Sequence, residues 1–466
     1  MTSSAEVPMP ALETITDSKD FQEPTRKPKL SKRAQGSKDA ATFIEKFEDL
    51  LNKQYSPQNV NGLVNFGVAE NTLMQVELKE YFNSHLNLQD LDFTYGDSCA
   101  GSKRLFDAVI RLFDRYFKPV KKMLHEHIIC GAGQSAILDQ LTHVLCDEGE
   151  AILVARPFYS GFINDISGRA GCRLIGVDVG TQDPSSTQTL KAFDATMETL
   201  LNSDPPIRPR AVILCNPNNP LGFNYPRETL LAYCEFAQKW DLHLLSDEIY
   251  ALSQFENAEK EREGTKRSFV SMLNVDIEKE TRCEPSRVHV LYGMSKDFCA
   301  NGLRLGVMVT QHNPELRKTL LGISLLMKVS SPADALWSGL LNDDQMLEYF
   351  ITTNQKKLGD TLKHCQIFFS KYGIPLLQPE AAHFIFMDLR GYLREVTDSG
   401  EKLQTGVEQE TDLFYSFVQN GVYVAPATGY GYPIPGWFRF TFCMRRDYLD
   451  IGLERMAKVL NIRKKK

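Results

Sequence analysis

No run in this 466-residue chain approaches the ~20 apolar residues that a bilayer-spanning helix requires. The first residues are polar, acidic and proline-bearing, without the apolar centre of a signal peptide. Ten cysteines occur, yet none form a Cys-x-x-Cys pair or a zinc-ligand spacing, so no metal site is expected. Several, such as Cys130, Cys215 and Cys299, sit in apolar runs, as free thiols buried in a reducing compartment do. There is no excess of positive charge: the net charge is -6 and no basic face dominates, which excludes a nucleic-acid footprint. These absences leave a cytoplasmic protein with a small-molecule partner, no nucleic acid and no membrane. With 42% hydrophobic and 24% charged residues the chain has enough apolar material for a sizeable core.

Residues 1–38 carry Ser, Thr, Pro, Lys and Glu without a sustained apolar period and read as a disordered or loosely docked arm. A helix is expected from about Ala40, where Phe43, Phe47, Leu50 and Leu51 recur at helical spacing. From His127 onward short apolar runs alternate with amphipathic stretches. Strands are expected at His127–Cys130, Ile152–Ala155, Arg173–Val177, Ala211–Cys215 and His243–Ser246, and helices at Ser135–Cys146 and Arg227–Trp240. That alternation predicts an α/β fold: a mostly parallel central sheet with helices on both faces. Residues 257–287, rich in Glu, Lys and Arg, read as a solvated loop. Beyond about Leu340 long helices precede two strands, Phe384–Asp388 and Phe438–Phe442, which predicts a smaller α+β domain. The expected division is an arm (1–38), a segment joining the small domain (39–90), a large domain (91–335) and a small domain (336–466).

Ligands on parallel sheets bind at the carboxyl ends of the strands, and the informative residues fall there. Val288–Leu291 leads through Gly293-Met-Ser295 to Lys296, with Arg304 eight positions later. A lysine at a strand end, beside a small hydroxyl and followed by an arginine, suits an aldehyde cofactor held as a Schiff base with its phosphate paired to the arginine. Alone, Lys296 reads more readily as a surface lysine after a strand. Gly131-Ala-Gly-Gln-Ser135 follows a strand and opens a helix, whose amino end favours a phosphate. Tyr159, after another strand, can stack on a flat ring or simply pack in its loop. Asn216-Pro-Asn-Asn-Pro-Leu-Gly222 is a rigid turn presenting Asn219. Asp247, within Ser246-Asp-Glu-Ile-Tyr250, can keep a pyridine nitrogen protonated or cap a helix.

Together these motifs resemble the fold-type I pyridoxal phosphate enzymes, the aspartate aminotransferase superfamily. Within it they look most like the 1-aminocyclopropane-1-carboxylate (ACC) synthase-like branch. That branch is marked by Ala69-Glu-Asn71, Tyr95-Gly-Asp97 with Gly101–Leu105, Glu380–Phe384 leading to Met387-Asp-Leu-Arg390, and Pro435-Gly-Trp-Phe-Arg439. The resemblance runs from about residue 60 to the carboxyl end and implies pyridoxal 5'-phosphate as cofactor and a homodimer. It implies that Lys296 bonds the cofactor and moves the substrate's Cα proton, that Asp247 pairs with the ring nitrogen, and that Asn219 and Tyr250 bind the ring hydroxyl oxygen. Tyr159 would stack on the ring. Gly133, Gln134, Ser295 and Arg304 would hold the phosphate, with Tyr95 reaching it from a neighbouring subunit. Arg439 would clamp the substrate carboxylate, and Ala69 and Glu70 would lie beside the substrate. Two positions depart from the pattern: Gly293 replaces a serine of the family's Ser-x-Ser-Lys, and Ala382-His383 precedes Phe384 where the family has Ala-Gly, a large apolar residue and Phe.

Three functions fit. The favoured one is an ACC-synthase-like lyase, eliminating or replacing a side-chain group of S-adenosylmethionine or a related γ-substituted amino acid, because the Glu70 carboxylate attracts a cationic substrate. In the bland alternative Glu70 caps a helix. The second is an aminotransferase, and the third a non-enzymatic regulator or scaffold on the same fold. Cofactor residues alone do not separate the first two.

Overall fold

The computed structural model describes residues 29–31, 34, 41, 45, 48–180, 182–397 and 399–463. The expected arm, but for residues 29–31 and 34, lies outside the described residues, as do Phe43 and Phe47 of the expected first helix; Leu50 and Leu51 are helical.

In chain order the strands are β1 (Val64–Asn65), β2 (Ile128–Gly131), β3 (Ala151–Ala155), β4 (Arg173–Val177), β5 (Pro209–Cys215), β6 (His243–Asp247), β7 (Val288–Gly293), β8 (Gly306–Val309), β9 (Leu376–Leu377), β10 (Phe384–Asp388), β11 (Val422–Tyr423), β12 (Ala425–Pro426) and β13 (Trp437–Thr441). The central sheet has the order β2-β8-β7-β6-β5-β3-β4. From β4 to β7 all neighbours are parallel. β8 runs antiparallel to both β7 and β2. Helices cover both faces, and β2, β3, β7 and β8 are buried along their whole length. Continuous Val, Ile and Leu runs are what a sheet buried on both sides demands. A second, four-stranded antiparallel sheet has the order β12-β13-β10-β9, and β1 pairs in parallel with β11. Each sheet organises its own apolar core.

The register of β2, β8 and β7 sets Gly131, Gly306 and Gly293 side by side at the ligand end of the sheet. A methyl group on Gly306 would lie 2.7 Å from the Gly133 carbonyl carbon, and one on Gly293 2.7 Å from the Leu305 carbonyl oxygen. This row of bare backbone lets the helix Gln134–Leu145 begin directly against the sheet. It also gives the departure at Gly293 a physical reason, since a serine side chain has no room there.

Three expectations need correction. The packing does not change near residue 336: the helix Ser331–Asn342 and the first turns of Asp344–Lys371 bury Trp337, Leu340, Phe350 and Ile351 in the larger core. The same long helix then buries Leu358, Leu362, Cys365 and Phe369 in the smaller one, so one continuous helix serves both. Residues 39–90 are likewise split, with Val64 and Phe66 in the smaller core and Met74, Leu78 and Phe82 in the larger. Residues 257–287 are not a plain loop but hold the short helices Ala258–Glu263 and Ile277–Glu280. These are capped by Asn257 and Asp276 and are too short to show an apolar period. Arg267 pins this segment to the smaller sheet's side through the fully buried Glu380, at 2.8 Å.

The glycine row makes a stability prediction. Gly306→Ala should destabilise the protein by about 1–3 kcal/mol through overpacking against backbone. Gly339→Ala, in the helix Ser331–Asn342 with open space around the added methyl, should stabilise it by roughly 0.5–1 kcal/mol. Urea unfolding of both variants checks the contrast.

Candidate active site

The carboxyl ends of β5, β6 and β7 meet the amino ends of β8 and of the helix Gln134–Leu145, and the polar residues gather at that junction. Asp247, the last residue of β6, is buried. Desolvation pushes its carboxyl up to about 7; the Ile249 N–H, at 3.3 Å, and Lys296 oppose that rise while Asp165 adds to it. A buried carboxylate with so little compensation favours a cation placed against it. Lys296 follows β7 by three residues and donates from Nζ to the Ala69 carbonyl oxygen at 2.7 Å. Burial, then Arg439 and Arg304, bring its ammonium down to about 8, against the pull of Glu70 and Cys443. Asn301 shares the Ala69 acceptor at 3.0 Å. Tyr250 is buried among Ala69, Ile249, Ala382 and Phe384.

A second cluster is built to receive an anion. Gly133 has a φ of 91°, and a methyl there would overlap the Arg304 guanidinium, so the arginine lies directly over the helix start. Both polar atoms of the Gln134 side-chain amide are buried without a partner. The buried Ser295 lies one residue before Lys296. Ser135 donates to Asp165 at 3.0 Å, and burial raises that carboxyl to about 6. The amino end of a helix, an arginine and an unpartnered amide are the ingredients of a phosphate cradle. Beside it Tyr159 lies against Gly161, where a methyl would overlap its ring. Burial pushes the Tyr159 phenol up to about 12.

The third cluster is Arg439, on β13 and buried. Its Nη1 donates to Asn219 Oδ1 at 2.9 Å, its Nη2 donates to the Gly67 carbonyl oxygen, and its Nε is buried without a partner. The guanidinium is held between the rings of Phe384, at 4.2 Å, and Tyr430, at 4.6 Å. The neighbouring Glu70 caps no helix: the helix Gln75–His85 begins after Met74 and has no side-chain cap. The bland alternative for Glu70 is therefore removed, and its carboxylate acts on Lys296 instead.

The fold thus brings Lys296, Asp247, Tyr250, Asn219, Tyr159, Gly133, Gln134, Ser295, Arg304, Ala69, Glu70 and Arg439 to one region. Tyr95 is not among them: its ring is 80% exposed, beside Phe93 at 79%. Sequence reasoning did not find Gly67, Asn301, Asp165 or Tyr430. Gly67 acts through its main-chain oxygen and leaves no side-chain signature, and Tyr430 is recognisable only once β13 places Arg439 beneath it. Among the described residues there is no cluster of His, Cys, Asp and Glu able to hold a metal ion, no disulfide among the ten cysteines, and no helix long and apolar enough to cross a membrane.

A family model described as aminotransferase class I and II matches residues 62–456. The chain is 31% identical over 430 residues to the probable aminotransferase gliI of Aspergillus fumigatus, covering 91% of this chain and 95% of the relative. It is 27% identical over 426 residues to 1-aminocyclopropane-1-carboxylate synthase 2 of Solanum lycopersicum, covering 87% and 82%. Among solved structures, Thermus thermophilus aspartate aminotransferase with maleate superposes with a TM-score of 0.68 at 20% identity, covering 93% of this chain and 100% of that one. Tyrosine aminotransferase of Leishmania infantum gives 0.71 at 18% identity, covering 95% and 100%.

The lowered Lys296 makes a pH prediction. Only the free amine attacks an aldehyde, so the second-order rate of aldehyde addition at Lys296 should rise with pH and level off above about 8. At an ordinary lysine the rise would continue to about 10.4. Stopped-flow measurements on the cofactor-free protein from pH 6 to 11, with Lys296→Ala as blank, check this.

Proposed function

Because the chain belongs to the aminotransferase class I and II family, we propose that it is a pyridoxal phosphate enzyme acting on an amino acid with a leaving group on its γ-carbon, S-adenosylmethionine or a relative of it. The residues fit the cofactor. The Gly133–Gln134 cradle with Ser295 and Arg304 matches a phosphate, and the under-compensated Asp247 matches a protonated pyridine nitrogen. Asn219 and Tyr250 would bind the ring hydroxyl oxygen, and Tyr159 would cover the ring face. When bound, pyridoxal phosphate supplies an electron sink for the pair left on the substrate's α-carbon.

The protein's own part is orientation and proton handling. Arg439 would hold the substrate α-carboxylate, its guanidinium already fixed by Asn219, Gly67 and two aromatic rings. Lys296, with its proton loosened by burial, would take the α-proton. The observation that carries the choice of substrate is Glu70: it caps no helix, and its charge is felt at the reacting lysine, where it would draw in a sulfonium or ammonium group. A second reading, amino-group transfer to a keto acid, is favoured by the aminotransferase named above as a relative. The ten unpaired cysteines support a reducing compartment, the cytoplasm, on this reading. Its active unit is a homodimer in which the exposed Tyr95 of each chain reaches the partner's phosphate cradle.

Incubation with S-adenosylmethionine and a panel of amino acids, with products identified by mass spectrometry, tests the reaction. We expect methylthioadenosine with a cyclic or unsaturated four-carbon product. Glu70→Gln should lower kcat/KM for the cationic substrate about tenfold more than for neutral ones, on the scale of one close charge pair. Steady conversion with a keto-acid acceptor and no expelled side-chain group would establish the aminotransferase reading instead. For the dimer, mixing Tyr95→Ala with Lys296→Ala subunits should restore about a quarter of wild-type activity, since half of freely mixed dimers are hybrids with one intact site. No recovery in a mixture shown to exchange subunits would refute the shared site.

A further inference from the structure

His383 stands where the family pattern has a large apolar residue, and it is fully buried. Its ring packs edge-on against Tyr250, with centroids 5.1 Å apart. Its Nε2 lies 2.9 Å from Ser253 Oγ, and Ser253 Oγ donates to Asp297 Oδ1 at 2.6 Å. Asp297 is the residue after Lys296 and is itself buried. Its Oδ2 accepts from the Leu252 N–H at 2.9 Å and from the Tyr292 hydroxyl at 3.0 Å. Ser253 has a single hydroxyl proton, and that proton goes to Asp297. Ser253 must therefore accept from His383, which assigns the imidazole proton to Nε2. His383 Nδ1 is buried without a partner, as the bare lone pair of a neutral imidazole is.

We propose that His383 is a positioning residue for Lys296, acting through the buried chain His383–Ser253–Asp297, which locks the segment carrying Lys296 to the segment carrying Tyr250. The inference rests on Lys296 being the cofactor lysine. The chain is anchored on both sides. The Phe442 N–H donates to the His383 carbonyl oxygen at 3.0 Å, tying it to the residues that follow Arg439. Asn354 donates to the Asp297 carbonyl oxygen at 3.4 Å and accepts from Asn71 at 3.0 Å, tying it to the Ala69–Asn71 stretch.

The charges around the chain explain why its neutral, directional form persists. Lys296 and Arg439 are the cations facing His383, with Tyr250 and Phe384 packed on its ring, so a second proton there would be buried against like charge. Tyr292 and Cys299 surround the Asp297 end. Burial raises the Asp297 carboxyl to about 7, and the Ser253 hydroxyl is the foremost group resisting that rise. Without the Ser253 hydroxyl, Asp297 keeps its proton to higher pH, and the residue adjoining Lys296 is neutral over a wider range.

The absorbance of a lysine-linked pyridoxal phosphate changes when the linkage takes a proton, so its pH midpoint reports the surroundings of Lys296. The test is a spectrophotometric titration of cofactor-loaded wild type, His383→Leu, His383→Gln and Ser253→Ala, with thermal unfolding of each. Ser253→Ala should lower the midpoint by about one pH unit, the effect of losing one nearby charge. His383→Leu should lower it by a smaller step, and adding it to Ser253→Ala should cause no further shift. His383→Gln, whose side-chain N–H reaches the position of Nε2, should retain the wild-type midpoint. Folded variants that share the wild-type midpoint and differ only in melting temperature would reduce His383 to packing and overturn the proposal. If His383→Leu does not fold, Ser253→Ala alone decides. Wild-type protein with no pH-dependent band from Lys296 would instead overturn the cofactor assignment.

Discussion

An acidic side chain buried at the end of a parallel strand costs several kcal/mol unless a cation meets it, and the site is organised around that constraint at Asp247. The main chain cannot move the carboxylate away: its own carbonyl accepts from the Asn216 N–H at 2.8 Å, and β5 and β7 pair with β6 on either side. Next door, Glu248 is also fully buried, but three donors, from Ser246, Ser271 and Met272, meet its two oxygens. The two adjacent carboxylates thus have opposite roles. One is saturated and ties the sheet to the 257–287 segment; the other is left open toward the cleft.

The cations of the site come from three directions. Lys296 arrives from β7, Arg304 from the turn before β8, and Arg439 from the smaller sheet. Only Arg439 belongs to the second core, so the relative placement of the two cores fixes the distance between the carboxylate-binding end and the reacting lysine. Side-chain bonds across that boundary include Arg439 to Asn219, His383 to Ser253, and Arg267 to Glu380. Each joins a buried or half-buried polar pair, where a lost partner leaves an unsatisfied group, so each tolerates little displacement.

The phosphate end works by a different rule. Where the substrate end uses side chains to grip, the cradle depends on side chains being absent. Gly131, Gly306 and Gly293 in register allow the helix start at Gly133 to approach the sheet, and only then does Arg304 reach over it. The family's missing serine is a consequence of this close approach.

Much of this was legible in the chain itself. Continuous apolar strands alternating with amphipathic helices dictated the parallel sheet, because only strands buried on both faces can be apolar throughout. The strand-end motifs placed Lys296, Asp247, Asn219 and Arg304 near one another, because a parallel sheet aligns its carboxyl ends. Other features came from tertiary structure alone. The core boundary inside the helix Asp344–Lys371 has no local mark, since a helix keeps its period whichever core it faces. The roles of Gly67 and Asn301 rest on a main-chain oxygen and a shared acceptor that no residue pattern encodes. His383 could be read as a pocket residue or a packed one until its ring was set 2.9 Å from Ser253. Sequence spacing fixes which side chains share an element, but hydrogen bonds between residues more than a hundred positions apart exist only once both cores have packed.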